Sequence, residues 1–380
     1  MTSNILRVIV GVALAVLVGA GVYFTNANRR EKPLPQLPYE GRLMVDLTVP
    51  ERIEYNDTLR ALDAETLFRV WKDSKEKTDY LRTDFIANAL ASKLQTELVS
   101  ETLPVYKAIS SFIADKSNDE NARMDLIQTL GQTVTPQSLD IILGCLKTGK
   151  EEHLVGACLG AVHQVSVTRW GGSFHEELSP PLEEFLKANT DRGYLSVITY
   201  AIAQIGAPSG IEFLLKSVLV SGKTTADFEK LLTRSRALYG SVSSGEESIG
   251  NFPTYEEELA GAARYALQDT RNPKAIPILK RGLRNQQPDD LELVVSGEAL
   301  AAMGDAEATK AILEWAKGRD ASVAPLVEEW IGKMRDTNSV LLVKETVASG
   351  KSSFKSAEVW GGVNSAFDVY NGVRSENLRP

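Results

Sequence analysis

Few residues of this chain are spaced for known chemistry. Two stretches, Ser221–Thr224 and Ser349–Ser352, end like a phosphate-binding loop, but Ser217 and Glu345 stand where such a loop needs its first glycine. The HExxH spacing of a zinc helix is absent among the three histidines, which are His153, His163 and His175. We therefore predict polar turns at both stretches, no catalytic residue, no metal site and no cofactor.

The chain contains two cysteines, Cys145 and Cys158, in one strongly helical region. They form neither a CxxC pair for zinc nor a disulfide framework. We expect both to be buried as small hydrophobic side chains. Their redox state stays open.

Charged residues repeat at helical spacing near the C-terminal end of the chain. In the segment 273–284, cations recur opposite an apolar stripe, and the next segment carries Glu307, Lys310, Glu314 and Lys317 in the equivalent place. Side by side, these stripes would suit an acidic partner segment, with Trp315 as an anchor if it is exposed. The alternatives are a solvated surface and a packed tryptophan. The candidate protein-binding residues are Lys274, Lys280, Arg281, Arg284, Lys310 and Trp315.

Composition places the chain among folded proteins. It has 380 residues, of which 43% are hydrophobic and 24% charged, so it can bury a large core. The formal net charge is -8. Because phosphate binding needs an excess of Lys and Arg, we expect no nucleic-acid partner, while a local basic patch stays open.

The elements that would position the charged stripes are paired helices. From Ala263 to Ala316, an apolar helical stripe, a Gly, Asp or Pro turn and a second stripe occur twice, with a period of about 36 residues. Upstream, Pro136 and Pro208 mark equivalent turns two such periods apart. The pattern predicts an all-α protein built as an α-solenoid of helical hairpins.

Three segments, 200–208, 272–279 and 299–305, resemble HEAT repeats, especially the bacterial HEAT-like repeats that also occur in phycobilin lyases. The resemblance extends over Ala122 to Ala316, and departs from the pattern near Trp170 and at Gln268-Asp269. It implies a curved, right-handed stack of helical pairs whose second helices line a concave, protein-binding surface. It also implies an alternative activity, lyase-like cofactor attachment or assembly.

The N-terminus predicts a membrane anchor. Val8 to Phe24 contains no charged residue, and the uncharged run continues through Asn28, which is long enough to span a bilayer. A cleaved signal peptide is the alternative. We predict a single-pass membrane protein held by residues 8–28, with the solenoid on the periplasmic or extracytoplasmic side; the cytoplasmic side stays open.

Domain boundaries follow from these features. We predict a transmembrane anchor or uncleaved signal at 1–28, a Pro-rich spacer at 29–56, a HEAT-like solenoid at 57–349 and a flexible tail at 350–380. Two insertions interrupt the solenoid near 167–181 and 221–255, and Leu43–Val49 reads as a short strand.

The combination of anchor, spacer and repeats predicts a membrane-tethered scaffold or adaptor that binds protein partners and is not an enzyme. The alternatives are the lyase-like factor and a structural subunit of an envelope complex. Partner identity, membrane orientation, cleavage, repeat number and oligomeric state do not follow from the sequence.

Overall fold

The computed structural model describes residues 33–74, 79–169, 172–219, 254–284, 290–317, 324–334 and 337–348. Within these ranges the regular elements are all helices and none is a strand, which confirms the all-α prediction. The chain divides into two compact units, Met1–Lys93 and Leu94–Pro380.

The helices of the first unit are α1 (Val49–Arg60), α2 (Ala64–Ser74) and α3 (Tyr80–Thr96), whose last turn belongs to the second unit. The helices of the second unit are α4 (Val99–Ala114), α5 (Glu120–Thr133), α6 (Pro136–Thr148), α7 (Glu152–Val167), α8 (Ser179–Ala188), α9 (Leu195–Ile205), α10 (Pro208–Leu219), α11 (Tyr255–Leu267), α12 (Ile276–Gly282), α13 (Leu291–Ala302), α14 (Ala306–Ala316), α15 (Ala324–Gly332) and α16 (Thr337–Ala348).

Helical structure in the first unit begins inside the segment 29–56, which the sequence predicts to be a Pro-rich spacer. Residues 43–49, predicted as a short strand, instead contain a 3-10 turn at Met44–Asp46 and the first residue of α1. The cause is a capping box, in which the Thr48 backbone N–H and hydroxyl both donate to Glu51 Oε2 at 2.8 Å. Pro50 then occupies the first turn of α1, where its missing N–H costs nothing.

The core of the first unit is formed by fully buried aromatic and aliphatic side chains of α1, α2 and α3, among them Tyr55, Trp71 and Ile86. Arg82 lies beside this core, with its guanidinium 4.9 Å from the centre of the Tyr55 ring. It donates hydrogen bonds to the carbonyl oxygens of Tyr39 and Arg42, at 3.0 and 2.7 Å. The non-helical segment before α1 is thereby attached to α3.

The second unit is a two-layer stack of helical hairpins. The first helices of the hairpins, α5, α7, α9, α11, α13 and α15, each pack against the next in the series. The second helices likewise each pack against the next in their own series, which is α6, α8, α10, α12, α14 and α16. Six consecutive hairpins are therefore present within the described residues, and the predicted α-solenoid is confirmed at this level.

The larger predicted insertion separates two hairpins that pack directly on each other. Residues 220–253 lie outside the described residues. On either side of them, α9 and α10 both pack against α11. The insertion therefore does not interrupt the stack.

The hairpin turns have residues that fit their geometry. Before α6, Thr135 and Ser138 form a capping box next to Pro136. Gly206 ends α9 in the left-handed conformation, with φ of 62°. Val134 adopts the same conformation at the equivalent turn after α5, although a β-branched residue rarely does so.

Side chains also join the ends of successive first helices. Arg169 Nη2, just after α7, donates to the Gln204 carbonyl oxygen near the end of α9 at 2.7 Å. Gln204 Nε2 donates to the Asp269 carbonyl oxygen after α11 at 2.8 Å, and Arg271 Nη1 donates to the Ala302 carbonyl oxygen of α13 at 2.7 Å. Since carbonyls at helix ends lack partners within their own helix, these bonds stabilise both each helix and the stack.

No helix among the described residues is both long enough and apolar enough to cross a membrane. This finding contradicts the predicted single-pass membrane localisation. The segment 8–28, on which that prediction rested, lies outside the described residues. So do the predicted tail at 350–380 and the stretches 221–224 and 349–352.

Candidate functional site

The charged residues singled out by sequence lie on or beside two neighbouring second helices, α12 and α14, and α10 precedes these in the same series. Each helix buries an apolar stripe, represented by Leu214, Leu279 and Ile312, which have no exposed surface or nearly none. The opposite side of each helix is consequently left to charged residues. Because α10, α12 and α14 are consecutive in the series, these sides adjoin.

We call the exposed charged side chains of residues 208–219, 273–284 and 306–317 the charged ridge. It contains seven Lys and Arg residues against three Glu residues, namely Lys216, Lys274, Lys280, Arg281, Arg284, Lys310 and Lys317 against Glu212, Glu307 and Glu314. All seven cations are exposed. The ridge is thus cationic on a chain whose formal net charge is -8.

The carboxylates of the charged ridge are used in ion pairs, two of which join successive hairpins. Arg281 on α12 pairs with Glu212 on α10. Lys280 Nζ lies 3.5 Å from Glu314 Oε2 on α14, and Lys310 Nζ lies 2.6 Å from Glu307 Oε1 within α14. Lys216, Arg284 and Lys317 remain outside these pairs, so the cationic excess of the ridge is carried by them and by Lys274.

The ion pairs shift the titration of the groups that form them. The hydrogen bond from Arg281 holds the pKa of Glu212 below its ordinary value. The hydrogen bond between Lys310 and Glu307 lowers the pKa of Glu307 and raises that of Lys310. Each shift favours the charged form of the group, which is also its form near neutral pH without the pair.

Lys274 lies at the turn before α12 and contacts Glu176 in the loop before α8, two hairpins earlier in the chain. Its Nζ is 2.9 Å from Glu176 Oε1, and Asn272 Nδ2 donates to the same oxygen at 3.1 Å. Burial alone would raise the pKa of Glu176, but the bonds from Lys274 and Asn272 outweigh it and lower the pKa. Lys274 therefore links two hairpins while its side chain stays 68% exposed.

Trp315 is the one candidate residue that does not belong to the exposed ridge. Its side chain is buried, and its ring centre is 5.1 Å from that of Trp330 on α15. Trp315 is therefore a packed tryptophan and not an exposed anchor. The two indoles pack on each other between successive hairpins, and a helical sequence pattern does not distinguish that use of a tryptophan from binding.

Sequence reasoning missed Glu212 and Glu176, which pair with two of the candidate cations. Both are distant from their partners along the chain, in other hairpins. For Glu212 the signal available in advance was the repeat period, because residues one repeat apart face each other across successive second helices. Glu176 lies in the loop before α8, two hairpins before Lys274, and the period does not predict that pair.

The histidines and cysteines were not assigned chemistry, and the structure shows the surroundings of His163 and of both cysteines. His163 on α7 is exposed and stacks on Tyr200 of α9, with ring centres 5.3 Å apart. Cys145 and Cys158 are free and buried, as expected. Across the described residues, no group of three or more His, Cys, Asp or Glu side chains is arranged to hold a metal ion.

No protein-family model and no curated protein matches the sequence. Among solved structures, the complex of CpcE and CpcF of phycocyanin lyase from Nostoc sp. PCC7120 is 15% identical over 80% of this chain and 95% of that chain, with a TM-score of 0.29. Human deoxyhypusine hydroxylase in complex with glycerol is 16% identical over 72% of this chain and 99% of that chain, with a TM-score of 0.25. Scores this low leave the function of the present chain to be argued from its own residues.

Proposed function

We propose that this protein is a binding scaffold whose charged ridge holds an acidic segment of a protein partner. The observation that carries the proposal is the excess of seven cations over three carboxylates on the charged ridge of an otherwise acidic chain, an excess that comes from residues 273–284, which carry four cations and no carboxylate. Binding on a row of neighbouring helices is the usual mode of work of helical repeat arrays, since stacking creates a surface longer than any single hairpin.

The dimensions of the charged ridge define the partner. Neighbouring packed helices lie about 8–10 Å apart, so three of them extend over about 20 Å from the first axis to the last. An extended peptide advances about 3.3 Å per residue. A segment of about six residues, rich in Asp and Glu, would therefore contact α10, α12 and α14 together.

The ion pairs between hairpins prepare the ridge for such a segment. They hold Lys280 and Arg281 in place across α10, α12 and α14, while Lys216, Arg284 and Lys317 remain outside the pairs. Contacts of this exposed kind contribute to the association rate and to partner choice more than to affinity. Salt screens them, and the expected binding weakens as ionic strength rises.

The proposal is tested by reversing charges that leave the ion pairs intact. In Arg284→Glu/Lys317→Glu we expect affinity for the acidic segment to fall about tenfold, because each reversed exposed charge costs about 0.5–1 kcal/mol. Proteins captured by the purified wild-type chain are compared with those captured by the variant. A synthetic peptide copying the acidic run of a variant-sensitive protein is then titrated by fluorescence anisotropy.

The control is Arg60→Glu/Lys107→Glu, which makes the same charge change at exposed cations of α1 and α4. This variant should bind the peptide as the wild type does. Equal loss in both variants would mean that only net charge matters, and equal binding by Arg284→Glu/Lys317→Glu and the wild type would remove the ridge from the function.

The alternative roles have less support. Lyase-like cofactor attachment and a structural role in an envelope complex rest on resemblance and on segments outside the described residues. Because one fold hosts many activities, likeness of fold does not carry an activity across. The charged ridge, by contrast, is a property of residues in this chain.

A further inference from the structure

A cavity of about 510 Å³ lies in the second unit, where α4, α5 and α6 meet the start of α7. The charged ridge lies on or beside α10, α12 and α14, so the residues of the cavity are separate from those of the ridge. A volume of this size is within the range of pockets that enclose a small organic molecule. The wall has an apolar part and a charged part, and together they define the chemistry of a ligand.

The apolar part of the wall comes from side chains of α4, α6 and α7, namely Ile113, Ala114, Ile141 and Leu154. Gly144 of α6 lines the same cavity, and a Cβ built on Gly144 would meet no atom within 4 Å. The space in front of this glycine is therefore open. Apolar walls of this kind accept the carbon skeleton of a ligand, because burying the skeleton removes apolar surface from water.

Arg123 of α5 is a buried cation in the charged part of the wall. It is 4% exposed, its Nε donates to the Ile113 carbonyl oxygen at 2.7 Å, and its Nη2 lies 2.9 Å from Glu151 Oε2. Its Nη1 has no acceptor among the described residues and is not sealed from solvent. Because Arg123 lines the cavity, an acceptor from outside reaches Nη1 through the cavity. A guanidinium held on two sides presents this donor in a fixed position, which favours an anionic head group.

The charges of the wall favour a ligand with a single negative charge. The cavity is lined by three cations, Lys116, Arg123 and Lys150, and by two carboxylates, Asp140 and Glu151. Lys150 is exposed and forms no ion pair within the part of the chain that the structure describes. A monoanion would neutralise the excess of one positive charge. A phosphate dianion would instead leave the site with an excess of negative charge beside two carboxylates.

We propose that this cavity is a binding site for a small organic acid that carries one negative charge and an apolar body. The acid head accepts a hydrogen bond from Nη1 of Arg123, and the exposed Lys150 adds a second positive charge. The apolar body lies against the side chains of α4, α6 and α7 that form the apolar part of the wall.

The experiment uses the full chain and two fluorescent probes that share one aromatic skeleton. The first is 8-anilinonaphthalene-1-sulfonate, which carries one negative charge. The second is N-phenyl-1-naphthylamine, which has the same skeleton without the sulfonate. Fluorescence titrations near neutral pH give the Kd of each probe for the wild type and for each variant. Probe bound elsewhere on the chain contributes equally to all variants, so the comparison between variants reports on the cavity.

Arg123→Met removes the guanidinium and keeps an unbranched side chain. It should weaken the sulfonate probe at least about tenfold and the neutral probe less than about twofold, because a hydrogen bond to a charged group is lost for the sulfonate alone. Lys150→Gln should weaken the sulfonate probe about twofold. The control Lys107→Gln, at an exposed lysine of α4 outside the cavity wall, should bind both probes as the wild type does. A folded Arg123→Met variant that keeps the wild-type affinity for the sulfonate, or loses both probes equally, would overturn the proposal.

Gly144→Leu tests the cavity without changing any charge. Its side chain should occupy the open space and weaken the sulfonate probe at least about fivefold, with helix content preserved in circular dichroism. Gly156→Leu is the matched control, since Gly156 is an exposed, open glycine of α7 that does not line the cavity, and this variant should bind as the wild type does. If Arg123→Met fails to fold, unchanged sulfonate binding in both Gly144→Leu and Lys150→Gln would overturn the proposal.

Inorganic phosphate distinguishes a monoanion site from a general anion site. Phosphate in large excess should leave the sulfonate probe bound to the wild type, when sodium chloride of the same ionic strength is the reference for screening. Displacement by phosphate beyond the effect of sodium chloride would overturn the assignment of an organic monoanion.

Discussion

Glu298 on α13 is a carboxylate with no exposed surface, and three side chains satisfy it. Arg264 Nη2 lies 2.9 Å from Oε1, Lys333 Nζ lies 2.7 Å from the same oxygen, and Gln268 Nε2 donates to Oε2 at 3.0 Å. Burial by itself raises the pKa of Glu298, but hydrogen bonds and charge from Arg264 and Lys333 outweigh it and lower the pKa. The cluster joins three successive first helices, α11, α13 and α15.

At the residue scale we predict that Glu298→Ala lowers the free energy of unfolding by about 3–5 kcal/mol, because it leaves Arg264 buried without its anion. The stabilisation should depend on pH. The pKa of Glu298 in the folded protein lies below its ordinary value. The difference in free energy of unfolding between the wild type and Glu298→Ala is therefore complete above about pH 4.3 and shrinks as pH falls further. Urea denaturation of both proteins at pH 7 and between pH 4 and 3 measures it.

Glu307→Ala is the matched control, because Glu307 is an exposed carboxylate that also pairs with a lysine. Surface pairs of this kind contribute about 0–1 kcal/mol. A Glu298→Ala variant no less stable than Glu307→Ala would show that the buried cluster is not a stabilising element.

At the scale of elements, close approach between first helices depends on small residues. Gly297 on α13 faces Trp330 on α15, and a Cβ at Gly297 would lie 2.0 Å from the indole ring. Trp330 has no exposed surface, so its ring has little room to move. The indole also packs against Trp315 of α14, which ties α13, α14 and α15 together.

We predict that Gly297→Ala lowers the free energy of unfolding by about 1–3 kcal/mol through overpacking. Gly156→Ala in α7 should raise it by about 0.5–1 kcal/mol, since a Cβ there meets nothing within 4 Å and alanine favours a helix. Chemical denaturation of both variants measures the difference. The changes in free energy of unfolding of the two variants must have opposite signs, and a Gly297→Ala variant more stable than the wild type would contradict the observed packing.

At the scale of the whole molecule, the second unit is held together by contacts between successive hairpins. The pair α9–α10 packs on α11 across residues 220–253, which lie outside the described residues. Stability in such an array is a sum of terms from neighbouring repeats, so a segment inserted between packed repeats adds only a loop-closure term. That term changes slowly with loop length.

We therefore predict that replacing residues 220–253 by a Gly/Ser linker of about twelve residues leaves the unfolding midpoint within a few degrees of the wild type. Thermal unfolding followed by circular dichroism tests this, with cooperativity as a second readout. A broad or split transition in the replaced chain would show that the segment contributes to the junction between α10 and α11.

Much of the architecture could be predicted because its causes are local. Apolar residues at helical spacing, proline and glycine at turns and a repeated period identify an all-α solenoid without any knowledge of contacts. The same pattern located the cations of α12 and α14. Local signals also misled. Residues 43–49 have a strand-like pattern, but the hydrogen bond from the Thr48 N–H to Glu51 caps a helix that begins at Val49.

The sequence by itself determined the helical class, the repeat and the positions of the exposed cations, because each follows from the order of residues within one or two turns. Only the tertiary structure decided that Trp315 is buried, that Arg281 pairs with Glu212 and that Glu298 is enclosed by three helices. These are relations between different helices. They depend on the rotation and offset of one helix against the next, which stacking of the hairpins sets and the period alone does not specify.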